Sequence, residues 1–149
     1  MFTQTAEYAL RAIAHLAQNG DVPQTSQQIS EATKVPTPYL SKVLQSLVKG
    51  GLVTGQRGLH GGFTMVKPPS EVSIYEVLSI VDPIKRIKRC PLGLESHGTH
   101  LCPLHRRMDE AIASVERNFK DTTLAEILDE PTTSVPLCPF PSGIKPQDE

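Results

Sequence analysis

"TPYLSKVLQSLVKGGLVTGQRGLHGGF", residues 37–63, carries the reading that decides the fold. Its first half has the punctuation of a helix. Thr37 is placed at an N-cap, Pro38 at the first helical position and Gly50–Gly51 at the C-terminal stop. Between those limits Leu40, Val43, Leu44 and Leu47 recur along one helical face, which points Tyr39, Ser41, Lys42, Gln45, Ser46 and Lys49 elsewhere. The outward face is therefore polar and basic. The second half reads as strand, glycine-rich turn and strand, with Arg57 and His60 at the tip and Lys67 at the exit.

Working toward the N-terminus, Ala6, Leu10, Ile13, Ala14 and Ala17 recur at three- and four-residue intervals and predict a helix from Thr3 to about Asn19, ended by Gly20. Thr25 followed by Gln28 has the form of a capping box, so a short second helix is expected over 25–33 with Ile29 and Ala32 facing inward. Two short helices joined by a tight turn, the second presenting small polar and basic groups, fit a helix-turn-helix whose second helix enters a major groove. A polar face alone is also what any solvated surface helix shows. The hairpin that follows favours the DNA reading, since a hairpin directly after a helix-turn-helix is the wing of a winged helix. Its glycines let backbone approach phosphate closely. Winged helices also serve as protein contacts, and a protein-interaction module is the alternative.

Toward the C-terminus, Ser73 starts a helix through Ile74, Val77, Leu78 and Val81, and Asp82–Pro83 stops it. "IKRIKRC" then sets Lys85, Arg86, Lys88 and Arg89 beside Cys90, either as a solvated basic turn or as charges that favour its thiolate. Met108, Ala111, Ile112, Val115 and Phe119 form a stripe suited to zip against a partner helix. Thr123 and Glu126 cap a final short helix. The expected fold is mainly α with a small β-wing: a winged helix-turn-helix over 1–82, a cysteine/histidine loop over 83–105, a dimerisation helix and a short final helix over 106–129, and a flexible proline-rich tail over 130–149.

Composition narrows the class. A chain of 149 residues with 38% hydrophobic content buries one core and an added helical arm. Residues 1–70 carry Arg11, Lys34, Lys42, Lys49, Arg57 and Lys67 against Glu7, Asp21 and Glu31, so this half is positive in a chain whose net charge is -1. No apolar run approaches the roughly 20 residues of a membrane span, and no basic-then-apolar leader opens the chain, which leads to an expected cytoplasmic location without a membrane partner. Three cysteines, an odd number, favour ligand or reactive roles over a disulfide framework. There is no Cys-x-x-Cys pair, phosphate loop or nucleophile elbow, and no enzymatic activity is expected.

The order of "TAEYALRAIAHLA" as first helix, "PYLSKVLQSLVKGGLV" as recognition helix, "RGLHGGF" as wing and a cysteine segment near residue 90 resembles the Rrf family of bacterial winged-helix regulators. That family includes the iron-sulfur cluster regulator, the nitrite-sensitive repressor and the cysteine-metabolism repressor. The resemblance covers about residues 1–128. It implies a homodimer, joined through the long helix after the cysteine loop, that binds double-stranded DNA at a palindromic promoter site. Lys42, Lys49, Arg57 and Lys67 are the expected phosphate contacts, Tyr39, Ser41, Gln45 and His60 the expected contacts to base edges or groove walls, and Thr37 is expected at the DNA-binding surface beside them.

The resemblance also gives meaning to "CPLGLESHGTHLCPLH", residues 90–105. Cluster-binding members share three evenly spaced cysteines, and the iron-sulfur regulator adds a histidine shortly after the last. Cys90, Cys102 and His105 fall on the first, third and histidine positions, while Ser96 stands at the middle one. Serine is a poor ligand for iron at neutral pH. His97 and His100 are possible replacements, and Glu7 matches the acidic ligand that the nitrite-sensitive repressor type takes from the other subunit. Three readings of the loop follow. One is an iron-sulfur cluster, of the [2Fe-2S] type. The second is a cluster-free site, either zinc held by Cys90, Cys102 and histidines or a reversible Cys90–Cys102 disulfide. The third is a structural loop without a cofactor. Cys138, in the tail, belongs to none of them.

Overall fold

Thr3 opens the first helix by accepting a hydrogen bond from the Ala6 amide at 3.2 Å, while its own hydroxyl donates to Asp82 Oδ2 at 2.9 Å. The computed structural model describes residues 2–97 and 100–131; the tail from 132, with Cys138, and the side chain of His97 lie outside the described residues. α1 spans Gln4–Gln18 and packs on α2 (Ser26–Thr33), α3 (Thr37–Lys49) and α4 (Ile74–Val81). Its buried face is Ala6, Ala9, Ala12, Ile13 and Leu16, whereas Leu10, Ala14 and Ala17 of the expected stripe are only half-buried. The alanines decide this. Their small side chains let α1 run through the middle of the helix layer at close range, so the core face is wider than a single ridge.

α2 begins with the capping box: Thr25 N–H donates to Gln28 Oε1 at 2.8 Å and Gln28 N–H donates to Thr25 Oγ1 at 3.2 Å. Ile29 is fully buried, but its inward neighbour is Thr33 and not Ala32, which is exposed. Thr33 lies one turn after Ile29 and satisfies its hydroxyl locally by donating to the Ile29 carbonyl at 2.7 Å, so a polar side chain is buried at little cost.

α3 starts one residue earlier than its sequence punctuation implies. Pro36 is the N-cap, its carbonyl accepting from the Tyr39 and Leu40 amides at 3.0 Å each, so Thr37 is the first helical residue and makes no capping bond. The fixed φ of Pro36 supplies the extended cap conformation that a side-chain cap would otherwise stabilise. Leu40, Val43, Leu44 and Leu47 are all buried, as the stripe requires.

The wing follows at once. β1 (Val53–Gln56) pairs antiparallel with β2 (Gly62–Met65), in register from Val53 opposite Met65 to Gln56 opposite Gly62, leaving residues 57–61 as the tip. Gln24, between α1 and α2, forms an isolated bridge to Phe63: the Gln24 N–H donates to the Phe63 carbonyl at 3.0 Å and the Phe63 N–H to the Gln24 carbonyl at 2.8 Å. Gly62 makes that approach possible. Its φ is +149°, and a Cβ there would stand 2.8–2.9 Å from Gln24 backbone atoms.

α5 (Pro103–Asp121) takes its first turn from the end of the expected cysteine loop, because Pro103 has the pre-set φ of a helical start and Cys102 caps it. His105 therefore sits on helix and not on loop. A bridge between Ser73 and Thr123, with Leu124 N–H donating to the Val72 carbonyl at 2.9 Å, returns the chain to the core. α6 (Leu124–Asp129), begun by the Thr123–Glu126 capping box, then lies against α1.

Candidate nucleic-acid interface and cysteine loop

Burial of the α3 leucine–valine stripe turns the rest of that helix outward. Tyr39, Lys42, Gln45 and Lys49 are exposed and Ser41 is half-exposed. Ser41 Oγ donates to the Thr37 carbonyl at 3.0 Å and Ser46 Oγ to the Lys42 carbonyl at 3.1 Å, so both hydroxyls keep only acceptor capacity toward anything outside. Tyr39 leans on Tyr8, ring centroids 6.0 Å apart, and the Arg11 guanidinium lies 5.9 Å from the Tyr8 ring centre. Tyr8 and Arg11 thus support the exposed tyrosine. No sequence motif marks them, since they lie on α1, far from α3 along the chain.

At the wing tip Arg57 and His60 are exposed, with Leu59 between them 96% exposed. Among the described residues no carboxylate pairs with Lys42, Lys49 or Arg57. Lys67 differs. Its ammonium donates to Glu76 at 2.9 Å, and that hydrogen bond, with the attraction of the same carboxylate, raises its pKa above the ordinary lysine value. Lys67 ties the exit of the wing to α4.

The cysteine loop brings one pair of donors together. Cys102 Sγ, at the cap of α5, lies 3.2 Å from His105 Nδ1 on its first turn, and both residues are half-buried. At this distance the pair makes a hydrogen bond; two ligands of one tetrahedral zinc ion stand about 3.5 Å apart, given bonds of about 2.3 Å to sulfur and about 2.0 Å to nitrogen, so a small opening of the pair would admit a shared ion. Among the described residues no group of three histidine, cysteine, aspartate or glutamate side chains converges. Cys90 is a free, half-buried thiol, and Ser96 is exposed. The described side chains of a single chain therefore fit a two-donor nucleus and not a four-donor cluster. Glu7 is exposed on the first turn of α1 and pairs with Arg11 at 2.9 Å. It lines a groove of about 300 Å³ with Leu10, Ala14, Leu124 and Ile127.

The basic run before Cys90 is divided. Arg86 turns to α5, where Nε donates to Asp109 Oδ1 at 2.7 Å and Nη2 to Asp109 Oδ2 at 2.6 Å, and Nη1 stands 3.5 Å from Glu116. Asp109 also accepts the Ile87 N–H at 2.8 Å. The Arg86 hydrogen bonds, reinforced by that backbone N–H, hold the Asp109 carboxyl below the usual range, and the same pairing raises Arg86. Lys120, 2.6 Å from Glu116, lowers that carboxyl and is itself raised. Its ammonium lies 4.5 Å from the Tyr75 ring centre on α4. The i, i+7 spacing of Asp109 and Glu116 placed both on one face of α5, which was the available signal for this network.

On α5 only Ala113 is buried; Ile112, Val115 and Phe119 are half-buried and Met108 is 47% exposed. The Phe119 ring meets that of Phe2, centroids 5.4 Å apart and tilted by 44°, so part of the expected stripe packs within the chain. No described helix is long and apolar enough to cross a membrane.

Comparison with known proteins agrees with this architecture. A family model described as "Rrf2: Iron-dependent Transcriptional regulator" matches residues 2–130. A protein assigned as an HTH-type transcriptional regulator in Aquifex aeolicus (strain VF5) is 29% identical over 131 residues, covering 86% of this chain and 91% of the relative. Among solved structures, CymR, the global cysteine regulator of B. subtilis, superposes with a TM-score of 0.71 at 18% identity, covering 85% of this chain and 95% of that one. The IscR of T. potens superposes with a TM-score of 0.70 at 21% identity, covering 86% and 85%. These likenesses establish the winged-helix fold, and the match across residues 2–130 establishes the family: the chain belongs to the Rrf2 family and is a DNA-binding transcription regulator.

Proposed function

We propose that the protein is a homodimeric repressor of the bacterial cytoplasm that binds a palindromic promoter site, its DNA affinity set at the Cys90–His105 loop by a [2Fe-2S] cluster or by redox state. The observation that carries the DNA side is that Lys42, Lys49 and Arg57, on α3 and the wing tip, have no carboxylate partner among the described residues and stand beside the exposed Tyr39 and Gln45. The two α3 helices of a dimer would occupy successive major grooves about 34 Å apart. Lys42, Lys49 and Arg57, with Lys67 at the wing base, are assigned to phosphate. Thr37, Tyr39, Ser41, Gln45 and His60 are assigned to base edges or groove walls. The part of the α5 stripe left open by the chain itself, Met108, Ala111 and the outer sides of Ile112 and Val115, is assigned to the second copy.

The sensor side is supported by the adjacent Cys102 and His105 at the start of α5, where a bound group would act directly on the dimer helix. Completing a cluster site requires Cys90 and a further ligand, for which Glu7 of the second copy is assigned. When bound, a cluster supplies reversible one-electron chemistry and a reactive target for small oxidants. A cluster-free reading, with zinc or a Cys90–Cys102 disulfide, is supported by Ser96, which offers a hydroxyl where a third cysteine would complete the set.

The test is anaerobic purification followed by a visible spectrum, with iron, sulfide and zinc measured per chain, and DNA affinity measured before and after loss of whatever is found. Charge-transfer bands with iron and sulfide, and an affinity that changes on their loss, support the cluster reading. A colourless protein holding zinc, or one whose two thiols oxidise together with a change in affinity, replaces it with the cluster-free sensor.

A further inference from the structure

We infer that Arg86 and Asp109 form the clamp that holds the two ends of the cysteine loop together on the long helix, and that this clamp limits the distance Cys90 must travel to reach the Cys102–His105 pair. The inference rests on the sensor reading above and names the residues through which that loop would act. Asp109 receives three donors, Arg86 Nε at 2.7 Å, Arg86 Nη2 at 2.6 Å and the Ile87 backbone N–H at 2.8 Å. An ordinary exposed ion pair contributes little and its geometry is loose. This one is different: Asp109 is 16% exposed, the guanidinium is held in both directions of its fork, and a backbone amide fixes the third position.

Its place in the chain gives it a purpose. Arg86 and Asp109 are 23 positions apart, with Cys90 four residues after the one and His105 four residues before the other. The clamp thus joins the two ends of the segment that holds every loop donor. Tethering those ends shortens the span that the loop explores and raises the effective concentration of the Cys90 sulfur at the Cys102–His105 pair. The contacts continue along the same face of α5. Glu116, two turns on, faces Arg86 Nη1 at 3.5 Å and Lys120 at 2.6 Å, and Lys120 lies over Tyr75 of α4. A shift of Arg86 is therefore felt at the dimer helix and at the helix that closes the winged-helix core. Of the cations before Cys90, Arg86 acts as a positioning residue and not as a charge that tunes the thiol.

The experiment compares the full chain with Asp109→Asn and Arg86→Lys by hydrogen exchange and by DNA affinity. Affinity is measured for reduced protein and after treatment with glutathione disulfide, which oxidises two protein thiols to one disulfide and leaves two glutathiones. Amide exchange across 88–102 is expected to rise about tenfold in Asp109→Asn and less in Arg86→Lys, which keeps one ion pair. The ratio of the two DNA affinities is expected to fall toward one, with the reduced protein's affinity unchanged because α3 and the wing are untouched. Unchanged exchange in both variants overturns the clamp. Raised exchange with an intact affinity ratio overturns its coupling to DNA. Raised exchange in the variants, with a wild-type affinity indifferent to the thiol state, supports the clamp and sinks the redox-sensor reading instead. Should Asp109→Asn not fold, Arg86→Lys decides the matter alone.

Discussion

Cys102 Sγ, at the cap of α5, stands 3.2 Å from His105 Nδ1 on its first turn, so the start of one helix brings a soft sulfur and an imidazole to within a few tenths of an ångström of the spacing of two ligands on one ion. Cobalt(II), added anaerobically to reduced protein, should give thiolate charge-transfer bands. Cys102→Ala and His105→Ala should each weaken cobalt binding by more than about tenfold, since loss of a supporting partner alone costs that much at metal sites. Equal binding by wild type and both variants would remove the pair from the sensor.

Arg57 and Lys67, both assigned to phosphate, should behave differently on mutation. Arg57 has no carboxylate partner among the described residues, whereas Lys67 is held by Glu76 at 2.9 Å. Arg57→Ala is expected to weaken binding to all DNA sequences together and to lower the salt slope by about one. Lys67→Ala should change the slope by less, because its charge is already offset by Glu76. Titrations of specific and unrelated duplexes at several salt concentrations read both quantities; a sequence-selective loss in Arg57→Ala would place it on a base instead.

Gly62→Ala tests the attachment of the wing. The added methyl would meet Gln24 backbone at 2.8–2.9 Å in a conformation that side chains rarely adopt, and the Gln24–Phe63 bridge must part to admit it. A destabilisation of about 1–3 kcal/mol is expected in urea unfolding. DNA affinity should fall as well, because the wing loses its third strand-like support. Gly51→Ala, at φ +79° with open space around it, carries the conformational strain without the clash and is the control.

The clamp should also be visible in pH dependence. Arg86 and the Ile87 amide hold the Asp109 carboxyl below its unfolded value. A depressed carboxylate contributes stability that is fully present above the unfolded aspartate range and lost as pH falls through the depressed folded value. The stability difference between wild type and Asp109→Asn is therefore expected to be largest at neutral pH and to shrink in acid. Parallel melting curves from neutral pH down into the acid range measure it; a constant difference would mean that the Asp109 charge does not matter.

Much of this architecture was legible along the chain because its signals are local. Capping boxes at Thr25 and Thr123, the Ser73 cap and the leucine–valine stripe of α3 depend on neighbours within one or two turns, and each appears where the sequence places it. Other positions are chosen by how the helices pack. Thr33 and not Ala32 meets the core, and apolar spacing does not register it because its hydroxyl is satisfied by the Ile29 carbonyl one turn back. The core face of α1 is set by alanines against α3 and α4, and spacing alone does not reveal how close those helices come.

A winged helix-turn-helix with a basic outward face on α3, a long helix bearing an apolar stripe, and a loop whose cysteines and histidines fit only part of a cluster pattern can all be read along the chain. Only the tertiary structure decided how those parts join. It divided the basic run at 85–89 by docking Arg86 on Asp109 and Glu116, committed Lys67 to Glu76, seated Tyr39 on Tyr8 and brought no third described donor to Cys102 and His105. The reason is range. Caps and stripes are written in contacts one turn apart, while ion pairs and ligand sets are made between side chains that meet only when separate helices pack.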